Sequence, residues 1–258
     1  MENKLQILLT NDDGVTAPGI WHLSKALSDI GDILIVAPEK ERSGVSHAFT
    51  YNNPIYIREE RINGKRAFSI NGTPSDAVKI AVSKICKKRP DFLFAGINAG
   101  DNTGVSCYYS GTVSAAREGC FWRIPSIAVS VKRIEEESFS FAADRTRDLL
   151  QKLINKEIIF DAAKVLLNVN FPNCVPEKIR GIRVTRQGIS PFRDDYEKRI
   201  NPSGNPYYWI FGKKEESKLP GEDDVEIKKD MITITPLALD STDEFFYNTY
   251  KGMELLKW

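Results

Sequence analysis

Two adjacent carboxylates follow directly on an apolar run near the amino terminus, where Leu8-Leu9-Thr10 leads into Asn11-Asp12-Asp13-Gly14. A run of that kind suits a strand buried in a sheet, and a pair of charges at its end is costly to bury unless something binds there. In an open α/β sheet ligands gather beyond the carboxyl ends of the strands, so the pair points to a cleft. Asn and Asp also suit capping turns, which accounts for the segment about as well when it is taken alone. Two further segments carry oxygen donors at comparable positions. Val36-Ala37-Pro38 leads to Arg42-Ser43-Gly44, and Gly96-Ile97-Asn98-Ala99-Gly100 closes another apolar run. Local turn bonding explains Ser43 or Asn98 singly, whereas their shared placement at strand ends favours one site. The carboxylates of Asp12 and Asp13, the Ser43 hydroxyl and the Asn98 amide oxygen are hard donors. With waters completing an octahedron they suit Mg²⁺ or Mn²⁺ better than zinc.

The segment Tyr109-Ser110-Gly111-Thr112-Val113-Ser114-Ala115-Ala116 reads as a turn feeding a helix of small residues. Unpaired amides at such a helix start attract an anion, and the Ser110 and Thr112 hydroxyls add donors. Gly111 lets the backbone approach closely. An ordinary Ser/Thr cap is the simpler reading of the same residues. Gly96, Gly100 and Gly104 have the wrong spacing for G-x-G-x-x-G, and no G-x-x-x-x-G-K-S/T loop occurs. Dinucleotide and triphosphate cofactors lose their main support.

The elements that must position these residues alternate over the first two thirds of the chain, the pattern of a mostly parallel sheet with crossover helices. Strands are expected at 6–10, 33–37, 91–97, 124–131 and 164–170. A helix is expected over 18–29, with Pro18 at its start, Ile20, Leu23, Leu27 and Ile30 at helical spacing and Gly31 at its stop. Others are expected over 74–84, from near Thr112, and over 141–154 with Leu149, Leu150, Leu153 and Ile154 buried. Beyond Pro172 come extended segments at 179–185, 207–211 and 231–235, separated by stretches rich in Pro, Gly and charge, which reads as a β-rich appendage. Residues 213–224, dense in charge, read as a solvated loop or arm.

The chain has 258 residues, 41% of them hydrophobic, enough for a sizeable core, so disorder is excluded. A formal charge of +1 leaves long nucleic acid and acidic membrane surfaces without an electrostatic footprint. Cys86, Cys107, Cys120 and Cys174 form no C-x-x-C pair. The amino terminus lacks a secretory pattern, and no apolar run approaches the ~20 residues of a membrane helix. A soluble, cytoplasmic protein is expected.

Seven segments taken in order resemble the survival protein SurE family of metal-dependent nucleotidases. They are 8–14 with Ala17-Pro18-Gly19, 36–38 through Arg42-Ser43-Gly44, Asn71-Gly72-Thr73-Pro74-Ser75-Asp76, Gly96-Ile97-Asn98-Ala99-Gly100, Tyr109-Ser110-Gly111-Thr112, Gly204-Asn205 with Tyr208-Trp209-Ile210, and Ile234-Thr235-Pro236-Leu237. The resemblance covers almost the whole chain. It implies a Rossmann-like α/β catalytic domain over 1–171 and a carboxy-terminal extension over 172–258. That extension would form a β-hairpin and an arm exchanged between subunits of a homodimer or homotetramer. It also implies one divalent ion per subunit on Asp12, Asp13, Ser43 and Asn98, and hydrolysis of nucleoside 5′- and 3′-monophosphates. In some members short polyphosphate or oligonucleotide ends are substrates as well. Two stretches depart from the family pattern. Val105-Ser106-Cys107-Tyr108 replaces acidic and aliphatic residues, which bears on pocket shape, and His47 stands where Asn is common.

The expected catalytic residues are Asp12, Asp13 and Asn11, and the expected phosphate-binding residues are Asn98, Gly100, Ser110, Gly111 and Thr112. A metal-bound water oriented or deprotonated by Asp12 or Asp13 is one route, and an aspartyl-phosphate is the other. Tyr207, Tyr208 and Trp209 fit a core or subunit contact better than a nucleobase cover, and His22 reads as a packing residue. The rival reading is a metal-dependent nucleotide-binding regulatory protein with weak or no turnover. An oligomeric scaffold would leave the paired carboxylates unexplained.

Overall fold

A computed structural model describes residues 4–215 and 217–253. Among these described residues eleven strands and seven α-helices follow one another. The first half runs β1 (Leu5–Thr10), α1 (Pro18–Leu27), β2 (Gly31–Pro38), β3 (Ile57–Ile62), β4 (Lys65–Ile70), α2 (Pro74–Ile80) and β5 (Phe92–Ala99). Then come α3 (Ser106–Tyr109), α4 (Gly111–Phe121), β6 (Ser126–Val131), α5 (Glu136–Ile154) and β7 (Val165–Phe171). The remainder is β8 (Gly181–Val184), β9 (Phe192–Ile200), β10 (Pro206–Lys214), α6 (Asp223–Glu226), β11 (Met231–Ala238) and α7 (Glu244–Tyr250).

Nine strands form one sheet in the order β3-β4-β2-β1-β5-β6-β7-β11-β8. From β4 to β7 every neighbouring pair is parallel, while β3 and β11 run antiparallel to β4 and β7. Both faces are covered, which is why β1, β5, β6 and β7 are almost continuously apolar. Ile20, Leu23 and Leu27 of α1 share one core with Leu149, Leu150 and Leu153 of α5. On the other face α2 and α4 pack through Ala77, Val78, Val113, Ala115 and Ala116. The chain leaves β1 toward β2 on one side and returns through β5 on the other. That reversal opens a crevice at the carboxyl ends of β1 and β5, the place where doubly wound sheets bind ligands.

Each strand and helix expected from the sequence is present with shifted ends. The helix over 141–154 starts earlier, at Glu136, and that over 74–84 ends at Ile80 and continues as a wider π-turn through Ile85. The β3–β4 hairpin has no counterpart in the expectations, because β3 is mostly exposed and charged and the buried or half-buried part of β4 is only the short Ala67-Phe68-Ser69-Ile70. The segment after Pro172 divides in two. β11 and β8 continue the central sheet, and β9 pairs only with β10 in a separate two-stranded sheet. The expected solvated loop over 213–224 is corrected: Lys213 and Lys214 end β10, and Asp223, Asp224 and Glu226 in the short α6 region are buried. Glu216 of that segment, residues 254–258 of the extension and residues 1–3 lie outside the described residues.

Candidate active site

The loop after β1 is braced by its own asparagine. Asn11 is fully buried, its Nδ2 donates to the Gly14 carbonyl at 2.9 Å, and its Oδ1 accepts from the Gly14 amide at 3.2 Å. Gly14 takes φ +102°, and a Cβ there would press within 3.2 Å of the Lys40 backbone. With both edges of its amide engaged in the brace, Asn11 holds the loop from which the two carboxylates project.

Asp12 is 3% exposed and rests on the start of α4. One carboxylate oxygen accepts from the Thr112 amide at 3.0 Å, and the other accepts from the Thr112 hydroxyl. This close seat exists because residue 111 is glycine, where a Cβ would lie 2.8 Å from the Asp12 Cβ. Burial pushes the Asp12 carboxyl above its ordinary value, and the two Thr112 bonds oppose that rise. Thr112, expected to grip phosphate, therefore has its amide and hydroxyl engaged with Asp12. Ser110 is the cap of α4, accepting from the Val113 amide at 3.1 Å, and its own hydroxyl proton remains for another acceptor.

Asp13 faces β5 and accepts from the Ala99 amide at 3.2 Å. Asn98, the preceding residue, donates Nδ2 to the Gly100 carbonyl at 2.6 Å, which leaves the oxygen edge of its amide for another partner. Gly100 is tied into the sheet by its amide on the Val131 carbonyl at 2.9 Å. From the β2 side, the Arg42 amide donates to the Asp12 carbonyl at 2.7 Å and brings in Ser43, whose hydroxyl donates to Glu41 at 2.7 Å. Burial, then the charge of Asp12 and more weakly that of Glu41, push Asp13 up to about 6. Glu41 is a member of the cluster that no motif marks; only its place two residues before Ser43 could have drawn notice.

These residues fit a divalent cation. Two carboxylates crowd a partly desolvated crevice, where burial raises both and the charge of Asp12 raises Asp13 further. A divalent cation would supply a counter-charge here, and the Ser43 hydroxyl and Asn98 amide oxygen are hard donors that suit such an ion. Among the described residues no group of three or more His, Cys, Asp or Glu offers a competing centre. A separate cleft of about 490 Å³ between α1 and the β3–β4 turn touches none of these donors. Its His22 pairs with Glu136 at 2.9 Å and stacks on Phe139, a packing role.

The loop carrying Ser43 is latched to α4 by a group that sequence reasoning missed. Glu118, 4% exposed, accepts from His47 Nε2 at 3.0 Å, Lys79 Nζ at 3.0 Å and Trp122 Nε1 at 3.1 Å. Burial would raise its carboxyl, but the His47 and Lys79 bonds outweigh that and hold it below the usual range. The His47 ring also stacks on Phe121. On the far side of α4 the loop before α3 is held by the extension. The Gly104 amide donates to Asp223 at 3.0 Å, and Lys214 Nζ donates to the Thr103 carbonyl at 2.8 Å. Tyr207, Tyr208 and Trp209 lie exposed on β10, opposite Arg199, Lys198 and Glu197 of β9.

Residues 7–194 match the family described as survival protein SurE. A 5′-nucleotidase SurE from Alkaliphilus metalliredigens is 39% identical over 257 residues, covering 98% of this chain and 100% of the relative. One from Caldanaerobacter subterraneus subsp. tengcongensis is 43% identical over 244 residues, covering 93% and 94%. The crystal structure of the SurE protein from Aquifex aeolicus superposes with a TM-score of 0.79 at 37% identity, covering 95% of this chain and 98% of that one.

Proposed function

The chain belongs to the survival protein SurE family, and on that premise we propose that it is a divalent-metal-dependent phosphomonoesterase acting on nucleoside 5′- and 3′-monophosphates. The observation that carries the reading is the pair Asp12 and Asp13 in the β1/β5 crevice, crowded together and set against the start of α4. Asp12, Asp13, Ser43 and Asn98 would hold one Mg²⁺ or Mn²⁺. Bound there, the ion would offset phosphoryl charge and lower the pKa of a water.

The side chains divide the remaining work. The Ser110 hydroxyl, free to donate while it caps α4, binds a phosphoryl oxygen, and the positive end of α4 stabilises the charge that develops there. The Gly111 backbone and Asn98 line the same oxygens, while Gly100 positions Asn98 through its carbonyl. Thr112 acts through Asp12, holding both carboxylate oxygens. Asp13 engages Ala99 through one oxygen, so its other oxygen is available to orient the attacking water and take its proton. Asn11 is assigned a positioning role through Gly14.

Residues 1–171 would form the catalytic part and 172–258 the extension. We assign that extension to a homodimer or homotetramer contact. A lone two-stranded hairpin is marginally stable in water, yet β9–β10 exposes Tyr196, Ile200, Trp209 and Phe211, and α7 exposes Phe245, Phe246 and Tyr247. No helix among the described residues is long and apolar enough to cross a membrane. The four cysteines are unpaired, which supports a reducing, cytoplasmic location.

The test is phosphate release from a panel of nucleoside monophosphates with Mg²⁺, with Mn²⁺ and with chelator. Metal-dependent release is expected, and Asp12→Asn should abolish it while leaving the fold unchanged by circular dichroism. Tight metal-dependent nucleotide binding without release would instead establish a regulatory binding protein. Near wild-type turnover by Asp12→Asn at saturating metal would overturn the ligand assignment.

A further inference from the structure

Tyr109 immediately precedes Ser110, the cap of α4 and the group assigned to phosphate, and it is 58% exposed. It is not free to wander. The Ser46 amide donates to the Tyr109 carbonyl at 2.9 Å and the Ser46 hydroxyl donates to the Tyr108 carbonyl at 2.5 Å, tying the backbone to the loop that carries Ser43. Its ring meets that of Phe192, with centroids 6.2 Å apart and planes at 65°. Phe192 is the first residue of β9, and its partner in the hairpin register is Lys214. Lys214 is the residue anchored to Thr103 in the loop before α3. The root of the hairpin is thereby tied to the loop before α3 and to Tyr109, while Tyr207, Tyr208 and Trp209 lie toward its other end, near the Pro206–Ile200 pairing.

Two partly exposed aromatic rings, each held by its backbone or its strand partner, are thus presented at the mouth of a phosphate site. Set edge to face, they offer an aromatic ligand one ring face to stack on and a second ring at its edge, at low entropic cost. A nucleoside monophosphate whose phosphate lies at Ser110 carries a flat base on a short tether, and stacking accepts any base because each has a π-face. We propose that Tyr109 and Phe192 form the nucleobase platform of this protein, holding the base by ring contacts. The proposal rests on the phosphatase reading and deepens it. It leaves the exposed Tyr207, Tyr208 and Trp209 to the subunit contact.

The test compares a nucleoside 5′-monophosphate with glycerol phosphate, which has the ester but no base, in wild type, Tyr109→Ala and Phe192→Ala at saturating metal. Stacking of this kind should raise KM for the nucleotide by about five- to thirtyfold with kcat little changed. The ratio of kcat/KM for nucleotide over glycerol phosphate should fall by the same factor. Tyr109→Phe and Phe192→Tyr should recover most of that ratio. An equal fall on both substrates, or an unchanged ratio, overturns the platform. Equilibrium binding of a nucleoside monophosphate against inorganic phosphate gives a second readout that needs no turnover. If wild type hydrolyses neither ester, the phosphatase reading fails, and the platform is still decided by whether the alanine variants weaken nucleotide binding relative to phosphate.

Discussion

Replacing Asp13 by asparagine removes a charge and keeps the shape, so it isolates what the crowding of carboxylates costs. In the metal-free protein Asp13 is pushed from 3.8 to about 6, first by burial and then by the neighbouring charge of Asp12. At about 1.4 kcal/mol per tenfold change in proton affinity this corresponds to ~3 kcal/mol. Solvent screening at a partly exposed position reduces it to about 1–2 kcal/mol. The sign follows from linkage. A carboxyl whose folded pKa lies above its unfolded value favours folding below about pH 4, and that contribution is lost as pH rises through about 6. At pH 7.5 in chelator Asp13→Asn should therefore be more stable than wild type by about 1–2 kcal/mol, or roughly 2–6 °C in Tm. The difference should vanish near pH 4. Added Mg²⁺ or Mn²⁺ should raise the wild-type Tm, since binding to the native state alone stabilises it, and should scarcely move the variant. Scanning calorimetry at several pH values, with and without metal, measures all of this. A variant less stable than wild type in chelator at pH 7.5, or one with the full wild-type response to metal, would refute the reasoning.

Gly111→Ala places a Cβ 2.8 Å from the Asp12 Cβ and 3.1 Å from Pro74 Cγ, with no room to yield. It should cost about 1–3 kcal/mol by urea unfolding and weaken metal binding, measured by calorimetric titration, because Asp12 must move. His47→Ala removes a bond to the buried Glu118 carboxylate and the stacking on Phe121. A loss of about 1–2 kcal/mol by urea unfolding is expected, together with a several-fold higher metal requirement for turnover as the Ser43 loop loosens. His47→Gln, which keeps a donor, should restore most of both.

The importance of Asp12 and Asp13 was legible because a charged pair beside Leu8-Leu9-Thr10 violates the apolar pattern of a buried strand. Ser110 as a helix cap was legible for a similar reason, since Ser-Gly-Thr before small residues is a local signal that needs no distant partner. The latch on Glu118 was not legible. Glu118 looks like a surface charge on α4, and it becomes a buried acceptor only because Lys79 and His47 arrive from 39 and 71 residues away. Asp223 was misread in the same way, since a charged stretch suggests solvent until its oxygens meet the Gly104 and Gly188 amides. The β3–β4 hairpin was not legible because its edge strand β3 is charged and mostly exposed and β4 buries or half-buries only four residues, too short an apolar stretch to mark a strand.

The sequence by itself determined the alternation of strands and helices, the oxygen donors at three strand ends and the ordered motifs that mark the family. Each is written in local spacing, the period of a strand or helix and the chemistry of a turn, which contiguous residues carry. Only the tertiary structure decided that Asp12 sits on Thr112 a hundred residues on, that Asn11 and Gly14 brace the loop, and that Tyr109 meets Phe192. Those outcomes depend on which strands lie side by side and how closely a helix start can approach, and sheet order and packing distance are properties of the folded layers as a whole.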